Sequence, residues 1–187
     1  MVMTKPIQLA HVVLRTSRYR EMIDWYMAVL NATLTFGNET LSFITYDEEH
    51  HRVAFIHIPG LSEARSPAAG VDHVAFTYAT LVELLDNHDR LKGVGILPFW
   101  CINHGPTTSM YYRDPDGNQI ELQVENFETV QESTRFFYSD EFNENPIGVE
   151  FSPDDLRARL IAGESEASVK RRPNIGPRTL SDGVPLG

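Results

Sequence analysis

Cysteine is all but missing from this chain of 187 residues: Cys101 stands alone. One thiol excludes an intramolecular disulfide and a zinc cluster built from thiolates, and it fits a reducing compartment. Long apolar runs are missing as well. No stretch approaches the roughly 18 consecutive apolar residues that a spanning helix needs. The opening segment MVMTKPIQLA has no apolar core of the kind a secretory signal carries. Positive charge is scarce, with 16 Lys and Arg against 26 Asp and Glu and a net charge of −10. Such a surface repels phosphate backbones and anionic lipid, so neither nucleic acid nor a membrane is an expected partner. These absences describe a soluble, cytoplasmic protein, long enough to bury a core without disulfides or a structural metal.

What the sequence does contain is a repeat. Segment 7–16, IQLAHVVLRT in its core, alternates like a strand and carries His11 followed by Val; segment 71–80, VDHVAFTYAT, does the same with His73. A helical pattern follows each. The first, over 18–31, lines up Met22, Ile23, Tyr26, Met27 and Leu30, and the second lines up Leu81, Leu84, Leu85 and Leu91 behind a Thr80/Glu83 capping box. Three strand-like runs come after each helix, at 32–37, 41–47 and 51–58 and again at 96–103, 107–113 and 118–125. The expected fold is therefore α+β: two βαβββ units, about 7–59 and 71–127, whose mixed sheets pair around a cleft within one domain spanning 1–127. GLSEARSPAAG, residues 60–70, reads as the linker between them. Residues 128–187 break the pattern and are assigned to the same domain as a C-terminal helix and an extended arm. SPDDLRARLIAG sets Ser152 as N-cap, Pro153 at the first helical position and Gly163 as the stop. The polar, Pro/Gly-rich remainder is either a mobile tail or an arm over a partner subunit, and a homo-oligomer is expected.

In TSMYYRDPDGNQIELQVENF, Asp114-Pro115-Asp116-Gly117 is a tight turn between two strands. Beyond it Ile120, Leu122 and Val124 share one face, and Glu121, Gln123 and Glu125 the other. His11 and His73 occupy equivalent places in equivalent strands. Two neutral imidazoles and one carboxylate, with the remaining coordination positions open, suit Fe(II) that takes substrate and O₂ together. Glu121, on the last strand of the second unit, can supply the carboxylate.

AHVVL, DHVAF and YYRDPDGNQIELQV resemble the motifs of the vicinal-oxygen-chelate superfamily, in particular its type I extradiol ring-cleaving dioxygenases. The resemblance covers 7–127 and extends more weakly into NPIGVEFSPDDLRARL. It implies metal ligands at His11, His73 and Glu121. HHRVAFIHIPG is similar to the family segment in which a distal acid/base histidine opens a strand, which implies that role for His51. The family tyrosine ten positions before the carboxylate ligand falls on Tyr111, and its substrate-binding histidine on His104, at a shorter interval than in the best-known members. His57 matches no motif residue and reads as structural. His88 reads as a surface or boundary residue. His50 should face away from His51, because neighbours in an extended stretch point oppositely.

The implied activity is extradiol cleavage of a catechol-type aromatic diol with O₂, using Fe(II), with Mn(II) able to substitute. A catechol must lose a proton before it chelates, so a base is required. Tyr111 and His104 would hold the phenolate oxygen, and His51 would act across the ring. Phe99, Trp100 and Ile102 would either wall the ring or pack in the core. Two alternatives share the scaffold, since fold does not decide function. A glyoxalase-type isomerase or lyase recruits a fourth ligand, but the position equivalent to Glu121 in the first unit is Ala54. A metal-free binding protein would not need the three candidate ligands.

Overall fold

The repeat read from the sequence reappears in the topology. The computed structural model describes residues 3–62 and 69–182, so the linker stretch 63–68 lies outside the described residues. The first βαβββ unit consists of β1 (Val12–Thr16), α1 (Tyr19–Leu30), β2 (Thr33–Gly37), β3 (Leu41–Thr45) and β4 (Val53–His57). Its sheet runs β1-β4-β3-β2, with β1 and β4 parallel and the other pairs antiparallel. The second consists of β5 (His73–Tyr78), α2 (Leu81–Lys92), β6 (Trp100–Asn103), β7 (Thr107–Arg113) and β8 (Gln119–Glu125), in the order β5-β8-β7-β6 with β5 and β8 parallel. By contacts, one compact unit gathers residues 3–62 with Asp114–Gly117, and the other gathers 69–113 with 118–182.

Each helix buries an apolar stripe on its own sheet. In α1 the buried residues are Met22, Ile23, Tyr26, Val29 and Leu30; Val29 completes the stripe while Met27 is only half-buried. The helix ends at Asn31, whose φ of 50° puts it in the left-handed cap conformation. Tyr26 packs edge-on against Phe55, 5.3 Å between ring centres, and donates a buried hydrogen bond of 3.0 Å to Asp114 Oδ2. Asp114 closes the 114–117 turn as well, accepting from the Asp116 and Gly117 backbone N–H groups. In α2, Leu81, Leu84, Leu85 and Leu91 are buried as expected. The Thr80 hydroxyl accepts from the Glu83 N–H at 3.1 Å, but the Glu83 carboxylate takes the N–H of Ala79, so the box closes one residue early.

His88 is buried, against expectation. It lies four residues after Leu84 and three before Leu91, inside the apolar stripe. Its Nδ1 is satisfied by Asp89 Oδ1 at 3.1 Å. On the sheet of the same unit Met110, Tyr112, Ile120 and Leu122 are almost wholly removed from water.

The C-terminal segment holds more structure than one helix and an arm. It contains α3 (Val130–Phe136), α4 (Asp140–Glu144), β9 (Val149–Glu150), α5 (Pro153–Ile161) and α6 (Glu166–Val169). Ser152 caps α5 and Pro153 opens it, as its sequence requires. The other helices are too short for apolar periodicity to register, although Thr129 and Glu132 close a full capping box on α3. β9 pairs antiparallel with β6, Ile102 opposite Glu150, and covers the outer edge of the second sheet. All five residues of β2, which ends the first sheet, are exposed. Among the described residues no helix is long and apolar enough to cross a membrane.

Gly148 lets β9 come this close. Its φ is 121°, and a Cβ there would sit 2.4 Å from the Asn103 carbonyl oxygen and 2.9 Å from His104 Cα. Gly148→Ala combines backbone strain with that overlap and is expected to cost at least about 2 kcal/mol. Urea unfolding measures this, and an unchanged midpoint would show that β9 relaxes freely.

Candidate active site

Register places the polar face of the second sheet. Ala75 lies opposite Glu121 in the parallel pair β5·β8, and Tyr111 lies opposite Glu121 in the antiparallel pair β7·β8. His73, two residues before Ala75, therefore shares their face. Glu121 is only 5% exposed, whereas Gln123 is half-buried and Glu125 is in water. Burial would push the Glu121 carboxyl up, but hydrogen bonds from His73 and Ser109 outweigh it and hold the group below the usual carboxylate range. His73 Nε2 is 3.1 Å from Glu121 Oε2, and its Nδ1 is 2.7 Å from Asp72 Oδ2. The bond to Glu121, opposed by burial and helped by Asp72, pushes the imidazole up to about 9.

Tyr111 and His104 extend the array. Burial, then the Glu121 charge and hydrogen bond, raises the Tyr111 phenol well above its ordinary value. His104 Nε2 stands 3.0 Å from the Tyr111 hydroxyl, and its Nδ1 is 2.5 Å from the Ile147 carbonyl oxygen. A carbonyl only accepts, so Nδ1 carries the ring proton and Nε2 presents a lone pair. Burial holds the imidazole below its ordinary value, which keeps it neutral at pH 7. One phenolic proton thus faces two acceptors, the Glu121 carboxylate and His104 Nε2.

Aromatic residues wall this array. Trp100 lies 5.1 Å from Tyr111 and 5.7 Å from His104, ring to ring, and Phe99 lies 6.3 Å from Tyr111. Ile102, by contrast, is core, fully buried with Tyr111 and Ile147. The Trp100 indole N–H donates to Glu150 Oε1 at 3.2 Å, and Arg178 grips the same carboxylate from Nη1 at 2.7 Å. Asp72, Ile147, Glu150 and Arg178 had no place in the sequence reading. Asp72 was visible as the residue before His73; Ile147 and Glu150 lie in the stretch of weaker resemblance, which assigns them no role, and Arg178 lies beyond it.

His11 and His51 form a separate array within the first unit. His11 is exposed and stands one residue ahead of β1 rather than inside it. His51 likewise does not open β4 but precedes it by two residues, within the loop after β3. Their rings are 4.4 Å apart, and the His51 ring stacks on Phe43 at 4.5 Å. Burial, then the neighbouring His11 and His50, lowers the His51 pKa. His50 does not face away: its Nδ1 lies 2.5 Å from His51 Nδ1, because 46–50 is a run of bends where strand alternation does not apply. His57, at the end of β4, stacks on Tyr19 and holds the Glu39 carbonyl oxygen at 3.2 Å. Ala54, paired with Val13 and Phe43, is buried.

The His73–Glu121 pair suits a divalent metal. An imidazole nitrogen and a carboxylate oxygen converge, and the second imidazole nitrogen is oriented by Asp72, as in metal-ligating histidines generally. His88, Asp89 and Asp154 also have ligand spacing. There, however, Lys92 neutralises Asp154 at 2.8 Å and Arg157 neutralises Asp89 at 2.9 Å, so that group is an ion-pair network.

Comparison with known proteins identifies the family. Residues 8–122 match the family described as the Glyoxalase/Bleomycin resistance protein/Dioxygenase superfamily. The chain is 49% identical over 162 residues to biphenyl-2,3-diol 1,2-dioxygenase 2 of Rhodococcus globerulus, covering 86% of this chain and 85% of that protein. It is 43% identical over 172 residues to biphenyl-2,3-diol 1,2-dioxygenase 3 of the same organism, covering 91% and 90%. Among solved structures, lactoylglutathione lyase from Agrobacterium tumefaciens superposes with a TM-score of 0.52 at 18% identity, over 65% of this chain and 96% of that one. The fosfomycin resistance protein FosX from Listeria monocytogenes, complexed with Mn(II) and sulfate, gives 0.54 at 16% identity, over 71% and 99%. At those identities the two structures speak for the fold alone.

Removing the Tyr111 hydroxyl should expose how the array is held. Tyr111→Phe leaves His104 Nε2 without its partner in a buried setting, and a loss of about 1–3 kcal/mol is expected. Thermal or urea unfolding of the metal-free protein checks it; a gain in stability would mean the hydroxyl is not held between the two acceptors.

Proposed function

The chain belongs to the glyoxalase/bleomycin resistance protein/dioxygenase superfamily, and from that premise we propose that it is an extradiol dioxygenase cleaving a catechol-type ring beside its two hydroxyls. The observation that carries the reading is the buried Glu121 carboxylate 3.1 Å from His73 and hydrogen-bonded to Tyr111, with His104 beyond it. Identity of 43–49% to two biphenyl-2,3-diol dioxygenases supports it and suggests an aryl-substituted diol. The Trp100 and Phe99 rings beside Tyr111 suit such a substrate.

In this proposal His73 and Glu121 would hold Fe(II), with His11, the repeat equivalent of His73, as the third ligand; Mn(II) is the alternative ion. When bound, the metal supplies a Lewis-acidic, redox-active centre that gathers diol and O₂ together. The chain's own residues manage the protons. His104, neutral with its lone pair on Nε2, takes the proton that the diol must lose, and Tyr111 steadies the resulting phenolate oxygen by hydrogen bonding. His51, kept neutral at pH 7, is the acid/base group from the first unit. Ala54 stands where an isomerase would place a fourth ligand, and its methyl group cannot coordinate. A homo-oligomer belongs to the same proposal, since the β2 edge presents backbone groups that pair readily with another strand; sedimentation velocity tests it.

The direct experiment is anaerobic loading with Fe(II), then O₂ and a panel containing catechol and biphenyl-2,3-diol. A yellow ring-fission product is expected, and none from any diol would end the dioxygenase reading. His11→Ala, His73→Ala and Glu121→Ala should each abolish metal retention while leaving a folded protein, as metal analysis and circular dichroism would report. Stoichiometric iron in Glu121→Ala would remove Glu121 from the site. His51→Ala should keep iron and diol affinity while kcat falls by roughly 10²–10⁴-fold. Near-normal turnover of His51→Ala with loss in His57→Ala would transfer the acid/base role to His57.

A further inference from the structure

The side chain of Arg172, in the stretch after α6, is only 3% exposed. Each of its three guanidinium nitrogens donates a hydrogen bond. Nη1 donates to the carbonyl oxygens of His104 at 3.1 Å and Asn145 at 2.8 Å, Nε to Glu141 Oε1 at 3.1 Å, and Nη2 to the Glu141 carbonyl oxygen at 3.0 Å. The group also lies 5.1 Å over the Phe136 ring. A cation this deep persists only when it is paired and hydrogen-bonded. The consequence is geometric: one nitrogen holds the backbone of His104 and the backbone of Asn145, pinning two turns to each other.

Those turns determine the state of His104. Asn145 accepts at Oδ1 from the N–H groups of Ile147 (3.1 Å) and Gly148 (2.7 Å), and its own Nδ2 donates to the Gly148 carbonyl oxygen. That compact turn turns the Ile147 carbonyl toward His104 Nδ1, at 2.5 Å. With Nδ1–H committed, Nε2 is left as the acceptor beside Tyr111.

We propose that Arg172 is a positioning residue: by clamping the His104 and Asn145 carbonyls it locks His104 in the Nδ1–H tautomer, with the basic Nε2 aimed at the Tyr111 hydroxyl. This rests on the dioxygenase reading for its consequence in turnover, but not for the tautomer itself. An arginine suits the task because its planar fork reaches two carbonyls and a carboxylate at once.

Three variants of the full chain test it: Arg172→Met, Arg172→Lys and Glu141→Gln. Imidazole ¹⁵N NMR of the metal-free protein reads the His104 tautomer, and steady-state kinetics on the best diol of the panel read kcat and KM. Arg172→Met should release His104 into a mixture of tautomers and lower kcat about 10–100-fold with KM little changed. Arg172→Lys keeps the charge and an N–H donor without the planar fork, and should restore part of each signal. Glu141→Gln keeps the carbonyl clamp, so it should lower the melting temperature while leaving tautomer and kcat near wild type. A pure Nδ1–H signal in Arg172→Met would overturn the proposal, as would losses of kcat that track melting temperature across all three variants. If the unmodified protein cleaves no diol, the dioxygenase reading fails, and the NMR comparison alone then decides the role of Arg172.

Discussion

A carboxylate taken almost wholly out of water must be compensated, and the organisation of the second unit follows from that requirement at Glu121. The compensation comes from three side chains on two strands. His73 at the start of β5 supplies a hydrogen-bonding imidazole at 3.1 Å, and Ser109 and Tyr111 on β7 supply hydroxyls. Each reaches Glu121 through strand register, so a slip of one residue in either ladder would turn the partner to the opposite face. The apolar face formed by Met110, Tyr112, Ile120 and Leu122 forbids such a slip. Core and site therefore specify one another.

The two units share a backbone plan and differ where chemistry is concerned. Val13 pairs with Ala54 as Ala75 pairs with Glu121, and Phe43 pairs with Ala54 as Tyr111 pairs with Glu121. The first unit thus puts a methyl group and a phenyl ring where the second puts a carboxylate and a phenol. Its histidines sit outside the strands, at 11 and in the loop before β4, and His51 rests on the same Phe43. Two similar frames thus differ in the side chains they carry, and one of them holds the polar array.

The C-terminal segment acts as the outer support of that array. β9 covers the β6 edge, the Ile147 carbonyl accepts a hydrogen bond from His104 Nδ1–H, and Arg178 fixes the Glu150 carboxylate to which the Trp100 indole donates. Through these contacts the wall of the array is held from behind as well as from the sheet. A tautomer held by a backbone carbonyl costs nothing to reorganise when a proton is to be accepted, and that preorganisation is what acid–base chemistry draws on.

Much of this was legible in the amino-acid sequence. Alternation and 3.6-residue periodicity marked both βαβββ units, the turn at Asp114–Gly117, and the segregation of Glu121 from Ile120 and Leu122, because these are local consequences of covalent geometry. Boundaries were less secure: His11 and His51 precede their strands, and His50 meets His51, since bends between 46 and 50 follow no period. The burial of His88 was hidden by its polarity, although its spacing from Leu84 and Leu91 was there to be read. Only tertiary structure decided what holds His104, what fixes Trp100, and where Arg172 places its charge. Those partners lie 27 to 68 residues away along the chain. Contacts across such separations leave no periodic trace; they exist only once the sheet has brought distant backbone carbonyls within reach of one guanidinium.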